Sequence, residues 1–351
     1  MSLSSLQITG VRCIAAASLE FTPGLNLVFG VNGSGKTSVL ESVFLAGRGR
    51  SFRTRHTEQL IGRGRDHLQL FATTADPAHR IGFEYRRDES YSARLDGQDI
   101  RSLAELPSAF FAEVIDPEVH RLVEGAPAER RRWLDWGVFH VEQGFLEAWL
   151  RFTRTLKQRN AALRAGQDPR AWDSEFVLQG ELIARLRAEW LQSVLPFWKE
   201  TVQRLSGLDV EMHYHQGWGA ERSLAEVLSE NVERDRVRGS TLAGPQRADV
   251  QLRLQGRPAR EVLSRGQQKL VAAAMVLALL QRLRSERKTP PTLLLDDPAA
   301  ELDSRRLGAV VDLVRELRCQ LIVTALHADL GHFGAPERVF HVEQGAVSTV
   351  R

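Results

Sequence analysis

The sequence is poor in cysteine, lysine and long apolar runs, and each shortage excludes something. Of 351 residues only Cys13 and Cys319 are cysteines. With no C-x-x-C pair, neither a disulfide framework nor a cysteine zinc site is indicated. The longest apolar run is Leu270–Leu280, between Lys269 and Gln281. It is too short to cross a membrane and suits a buried helix. The first residues, Met-Ser-Leu-Ser-Ser-Leu-Gln-Ile, lack the basic start and apolar core of a signal peptide, so a cytoplasmic location is expected. Lysine supplies only five of the 47 basic residues. Because the arginine excess is chain-wide, as a genomic codon bias would make it, no single arginine is a recognition signal by itself.

What is present describes a globular chain, with 43% hydrophobic and 26% charged residues. A net charge of +3 and a pI near 9.1 permit polyanion binding without demanding it. The length predicts two or three domains with ample core.

The chain is organised around Gly30-Val31-Asn32-Gly33-Ser34-Gly35-Lys36-Thr37, a G-x-x-x-x-G-K-[ST] phosphate-binding loop. Residues 25–29 read as a short buried strand and residues 35–46 as a helix, which is the setting this motif requires. The glycines let backbone N–H groups curl around phosphate oxygens. The helix start adds unpaired N–H groups and a positive dipole end. Lys36 is expected to reach the β- and γ-phosphates and the Thr37 hydroxyl to ligate Mg²⁺.

Before the loop, residues 3–8 and 18–21 read as strands. After the first helix, Arg48 to Arg65 carries six arginines against one acid, Glu58. Two readings stand for it: a solvated loop, or a contact for a phosphate backbone or bound nucleotide. Residues 68–74, 80–85 and 90–95 alternate as an antiparallel meander, and Phe110–Ile115 reads as a further strand. From Ala128 to about Leu205 the pattern is helical, with a break around Gly166–Pro169 and an internal Pro196. Six of the seven tryptophans lie there; they read as the core of a helical lobe rather than as base-stacking platforms. His213 and His215, on a strand without suitably spaced acids or cysteines, read as structural.

Two further motifs complete the set. Ser264-Arg265-Gly266-Gln267 precedes a long helix, with Ser264 at the N-cap position. Thr292-Leu-Leu-Leu-Asp296-Asp297 is a buried strand ending in two carboxylates. In a phosphate-loop protein Asp296 is expected to hold Mg²⁺ and Asp297 to polarise the attacking water. Ala300-Glu301-Leu302-Asp303 follows, then an amphipathic helix, a buried strand at 320–324 and a closing hairpin at 338–350.

In this order the motifs resemble the ATP-binding-cassette ATPases, specifically the branch that holds SMC proteins and the RecF family. Stretches similar to the RecF family are 32–37, Gly49-Arg50-Ser51-Phe52-Arg53-Thr54, Arg130-Arg131-Arg132-Trp133-Leu134-Asp135-Trp136, Gly244-Pro245-Gln246-Arg247-Ala248-Asp249, 263–269 and 294–297. The likeness therefore covers nearly the whole chain. The family's Gly-Pro-His-Arg reads Gly-Pro-Gln-Arg here. The switch histidine usual right after the last core strand is carried to His327, two positions late. Asp297 stands where most such ATPases have Glu.

The resemblance implies an α/β fold: an ABC-type ATPase head from residues 1–124 and 241–351, with a mainly helical lobe, a short SMC-like arm, inserted at 125–240. It implies ATP and Mg²⁺ as cofactors and an ATP-dependent homodimer. In that dimer Ser264, Gly266 and Gln267 of one subunit close over ATP held by Lys36 of the other, with Asp303 at the interface. It implies gapped or junction DNA on the basic surface, with Arg50, Arg53 and Arg55 as candidates. It further implies RecR and RecO as partners in loading RecA, and recombinational repair and replication-fork maintenance as the setting. The shorter Asp297 predicts slow hydrolysis, below ~10 s⁻¹.

Three other classes are weighed. A transporter nucleotide-binding subunit conflicts with the insert and with the absence of Leu-Ser-Gly-Gly-Gln. An SMC-like architectural protein requires a long coiled coil, whereas 128–205 supplies an arm of ~60 Å at most. A helicase requires a second motor core, and none is found.

Overall fold

The computed structural model describes residues 2–100, 102–286, 291–301, 304–329 and 331–351. The chain forms two compact units, Met1–Val119 with Arg284–Arg351, and His120–Leu283.

The first unit has two six-stranded sheets. One is antiparallel throughout, in the order Ile14–Glu20, Ser2–Val11, His67–Ala75, Arg80–Arg86, Tyr91–Leu95, Gln98–Asp99. Its strands alternate because one face is buried: His67–Ala75 places Leu68, Leu70 and Ala72 in the core. The other sheet runs Ala346–Thr349, Arg338–Glu343, Leu25–Phe29, Gln320–Ala325, Thr292–Leu295, Ala112–Ile115, and all but the first pairing are parallel. Its central strands are near-continuous apolar runs, as strands covered on both faces must be.

The helix Lys36–Arg48 lies in the core that both sheets share. Val39, Leu40, Val43 and Phe44 join Leu6, Leu70 and Phe83 of one sheet and Leu294, Ile322 and Phe340 of the other. One buried amide stitches the sheets together. Gln320 Nε2 donates to the Leu3 and Thr22 carbonyls at 2.7 and 2.8 Å, while its Oε1 accepts from the Leu3 N–H at 2.7 Å.

The second unit is mainly helical. Its helices include Pro127–Val141, Phe145–Arg164, Asp173–Ser206 and Leu224–Arg238. The expected break falls at residues 165–172, and Pro196 lies inside the helix Asp173–Ser206. The tryptophans are largely core. Trp133 and Trp190 pack edge to face at 5.2 Å, and Trp198 donates its indole N–H to the Val210 carbonyl at 2.8 Å. Gly137 is demanded by this packing, since a Cβ there would lie 1.9 Å from the Trp190 ring.

Residues 241–283 belong by contact to this unit, not to the head as the division at 240 expects. The reason is pairing. Strand Asp249–Leu254 is hydrogen-bonded along its length to Val210–His215. The Trp133 indole also donates to the Met275 carbonyl, within the long helix Arg265–Glu286. Neither partnership shows as a local pattern.

The two motifs rich in arginine and glycine are structural staples of this unit. Arg130 grips Asp249 through two bonds of 2.8 and 3.0 Å, Arg131 donates to the Ala248 carbonyl, and Arg187 joins Asp135 to the Pro245 carbonyl. Gln246, at the position of the family's histidine, donates to the Ala243 carbonyl at 2.9 Å.

Candidate functional site

The site lies at the carboxyl ends of the parallel strands, where α/β sheets hold ligands because loops and helix starts converge there. Register makes it so. Phe29 pairs with Ala325, Val323 with Leu295 and Leu295 with Ile115, so the four strands end together. The residues just past those ends are the phosphate loop, Asp296–Asp297 and Asp116.

The loop requires its glycines for two reasons. Gly33 has φ +78° with open space around it, so its need is conformational. At Gly30 (φ +157°) a Cβ would come within 2.2 Å of the Val342 carbonyl. Val31, Asn32 and Gly33 are exposed, whereas Lys36 is buried. The Lys36 ammonium donates to the carbonyls of Gly30 and Val31 at 2.8 and 3.2 Å and lies 3.8 Å from an Asp297 carboxylate oxygen. It is a buried cation folded back on its own loop. The Ser34 hydroxyl beside it is buried with no hydrogen-bond partner. Both observations fit an anion seated in the loop, to which Lys36 and Ser34 would donate.

Thr37 donates its hydroxyl to Asp296, with oxygens at 3.1 and 3.0 Å. A hydroxyl and a carboxylate at this spacing suit a hard cation that completes its shell with phosphate oxygens and water. Among the described residues no cluster of three or more His, Cys, Asp or Glu side chains forms a metal site by itself.

Asp296 is 7% exposed, and burial pushes its carboxyl above the ordinary range. The neighbouring Asp297 adds to that rise, while hydrogen bonds from Thr324 and Thr37 and the charge of Arg53 oppose it. A cation there would relieve the same electrostatic cost. Asp297 holds a left-handed backbone, φ +46°, which costs a non-glycine residue about 1–2 kcal/mol. Its N–H is tied to Thr324 Oγ1 at 2.8 Å, and that hydroxyl donates to Asp296 at 2.8 Å. One buried threonine thus orients both carboxylates.

Thr324 and Asp116 are site residues that motif reading passes over. Burial pushes Asp116 up to about 6, and the charges of Asp296 and Glu118 add to the rise. The available signal was positional: both stand at a carboxyl end of a parallel strand. His327 is exposed in the bend after Gln320–Ala325 and has no hydrogen-bond or ion-pair partner among the described residues. Asp303 lies outside the described residues.

Ser264, Gly266 and Gln267 belong to the second unit. Ser264 caps the long helix reciprocally with Gln267: its hydroxyl accepts the Gln267 backbone N–H at 3.3 Å, and the Gln267 side-chain Oε1 accepts the Ser264 N–H at 2.9 Å. Ser264 stays exposed at the helix start, where anions are favoured.

The basic stretch divides. Arg48 is buried and paired with Glu113, and burial lowers its pKa to about 9. Arg50, Arg53 and Arg55 are exposed.

No helix among the described residues is long and apolar enough to cross a membrane. The RecF/RecN/SMC N terminal domain family matches residues 2–348. The chain is 40% identical over 360 residues to the DNA replication and repair protein RecF of Pseudomonas putida strain GB-1, covering 99% of this chain and 98% of that one. With RecF of Pseudomonas aeruginosa strain LESB58 it is 39% identical at the same coverage. Among solved structures, the recombination mediator protein RecF-ATP of the RecFOR pathway matches with a TM-score of 0.90 at 23% identity, covering 100% and 98% of the two chains. The Smc head domain derived from Pyrococcus furiosus, bound to the C-terminal domain of ScpA, matches at 0.58 and 15%, covering 99% and 96%. These structures share its mixed α/β ATPase-head fold, and by identity along its whole length the chain belongs to the RecF family.

Proposed function

We propose that the protein is an ATP-dependent DNA-binding protein of recombinational repair and replication-fork maintenance. It dimerises around ATP on gapped or junction DNA and hydrolyses ATP slowly to let go, helping RecR and RecO load RecA. The observation that carries this reading is the constellation of Lys36, Thr37, Asp296 and Asp297 past the ends of the two parallel strands that flank Gln320–Ala325. The RecF name of relatives 39–40% identical supports the DNA side.

In this mechanism Lys36 leaves its loop carbonyls for the β- and γ-phosphates, and the N–H groups of residues 30–37 cradle them. Thr37 and Asp296 would hold Mg²⁺, which when bound neutralises charge on the β- and γ-oxygens. Asp297, kept in place by its N–H bond to Thr324, accepts a hydrogen bond from the attacking water. Its side chain is one methylene shorter than Glu, so the water is held at longer reach and turnover stays below ~10 s⁻¹. Ser264, Gly266 and Gln267 of a second subunit close over the γ-phosphate, with Asp303 at that interface and His327 as a further polar group near the leaving phosphate. Arg50, Arg53 and Arg55 meet the DNA backbone.

Light scattering with ATP, with and without gapped duplex, tests this directly. The wild-type protein is expected to double in mass with ATP and DNA, and Lys36→Met to stay monomeric. A wild type that stays monomeric under both conditions refutes the clamp.

A further inference from the structure

Beyond the phosphate-binding residues, the helix Lys36–Arg48 carries Glu41, a carboxylate only 1% exposed and one turn after Thr37. Burying a lone carboxylate is costly, so its partners are informative. Arg12 donates to both its oxygens, from Nε at 2.5 Å and Nη2 at 3.0 Å. Arg53 brings a guanidinium nitrogen to 4.0 Å. The third partner is the Ser51 hydroxyl, which donates to Oε1 at 2.5 Å. That hydroxyl in turn accepts the backbone N–H groups of Arg53 and Thr54 at 2.9 and 3.1 Å.

The bonds therefore form a chain from the nucleotide helix to the arginine loop. Glu41 fixes the Ser51 hydroxyl, Ser51 fixes the backbone of 53–54, and that backbone aims the exposed Arg53 and Arg55. A bland reading makes Glu41 a neutralised core charge. For neutralisation alone, however, the bidentate Arg12 suffices. Ser51 adds no charge; what it adds is geometry on the loop. Arg53 is also the residue whose charge reaches both Glu41 and Asp296, so the loop lies within electrostatic range of the metal-holding carboxylate.

We infer that Ser51, held by Glu41, is a positioning residue that couples nucleotide binding to DNA binding by locking the arginine loop to the phosphate-loop helix. This rests on the ATP-dependent DNA-binding reading above. Coupling between two ligands is reciprocal: if ATP tightens DNA by a factor, DNA tightens ATP by the same factor, typically 5–150-fold. The lock predicts that this factor is lost while each binding site survives.

The test uses the full chain, ATPγS and a gapped duplex. ATPγS affinity is measured with and without duplex, and duplex affinity with and without ATPγS. In wild type both ratios are expected to agree and to exceed about 5. Ser51→Ala leaves the Glu41–Arg12 pair intact. It is expected to bring both ratios below about 2, with ATPγS affinity in the absence of DNA within about twofold of wild type. Ser51→Thr, which keeps the hydroxyl, is expected to restore the coupling. Glu41→Gln, as a second perturbation of the lock, is expected to lower both ratios as well. Coupling retained in Ser51→Ala, or lost equally in Ser51→Thr, overturns the lock and leaves the ATP-dependent DNA-binding reading standing. A wild type that binds the two ligands independently overturns that reading, and the lock with it.

Discussion

Thr324→Val is the sharpest perturbation of the site, because it removes one oxygen and keeps the shape. Thr324 is fully buried at the end of strand Gln320–Ala325. Its hydroxyl donates to Asp296 and accepts the Asp297 N–H, each at 2.8 Å. The valine loses a hydrogen bond to a carboxylate, worth about 1.5–3 kcal/mol, and leaves an N–H unsatisfied at about 1–3 kcal/mol. Some of the latter is regained by water, because Asp297 is partly exposed. We expect a net loss of about 3 kcal/mol, which for a unit of this size lowers Tm by about 6–12 °C. The strained backbone at Asp297 loses its tie, so its carboxylate no longer points where water is held. Hydrolysis is expected to fall about tenfold, equivalent to about 1.4 kcal/mol in the barrier. The loss of a donor also raises the Asp296 pKa further, so the acid limb of Mg²⁺-dependent binding moves to higher pH. Calorimetric melting, steady-state hydrolysis and a pH series of ATPγS binding read the three effects, with Thr324→Ser as the rescue. A Thr324→Val protein that melts within about 2 °C of wild type and hydrolyses at its rate refutes the reasoning.

Three further expectations follow from the same geometry. Replacing Arg50, Arg53 and Arg55 singly by Ala should each reduce the slope of log DNA affinity against log salt by about 1; Arg48→Ala, whose side chain is buried on Glu113, should lower Tm and leave the slope unchanged. Gln320→Ala strands the N–H and carbonyl of Leu3 between the two sheets and should cost about 3 kcal/mol in urea unfolding, while Gln320→Glu should also destabilise by placing an acceptor where two carbonyls require a donor. The folded state lifts Asp116 from 3.8 to about 6, so the protonated form favours folding. That contribution is complete below 3.8 and is lost as pH rises through about 6; the nucleotide-free protein should lose stability over this window, and Mg²⁺ with ATPγS should oppose the loss.

Much of the fold was legible because its signals are local. Leu25–Phe29 followed by the glycine loop and Lys36–Arg48 is a continuous stretch whose pattern depends on no distant residue. The three strands of the meander alternate because one face is buried, and Thr292–Leu295 carries three consecutive leucines because both faces are covered. The division of the chain was less legible. Residues 241–283 carry Ser264-Arg265-Gly266-Gln267, which reads as head, yet strand Asp249–Leu254 and the Met275 carbonyl find their partners within residues 125–240. Pro196 stays inside its helix because that helix buries Trp190, Leu191, Val194 and Trp198, and packing outweighs one missing N–H.

By itself the sequence determined which chemical groups are candidates to meet a phosphate: Lys36, Thr37, Asp296 and Asp297 are picked out by spacing within short motifs. Only the tertiary structure decided what holds those groups and which arginines are available. Thr324, Gln320, Asp116 and Glu41 act on residues up to hundreds of positions away, and a hydrogen bond across such a gap leaves no periodicity to read. Arg48 and Arg53 look alike in the sequence. One is buried on Glu113 and the other is exposed beside Glu41: Arg48 ends the helix against strand Ala112–Ile115, whereas Arg53 lies in the loop beyond it.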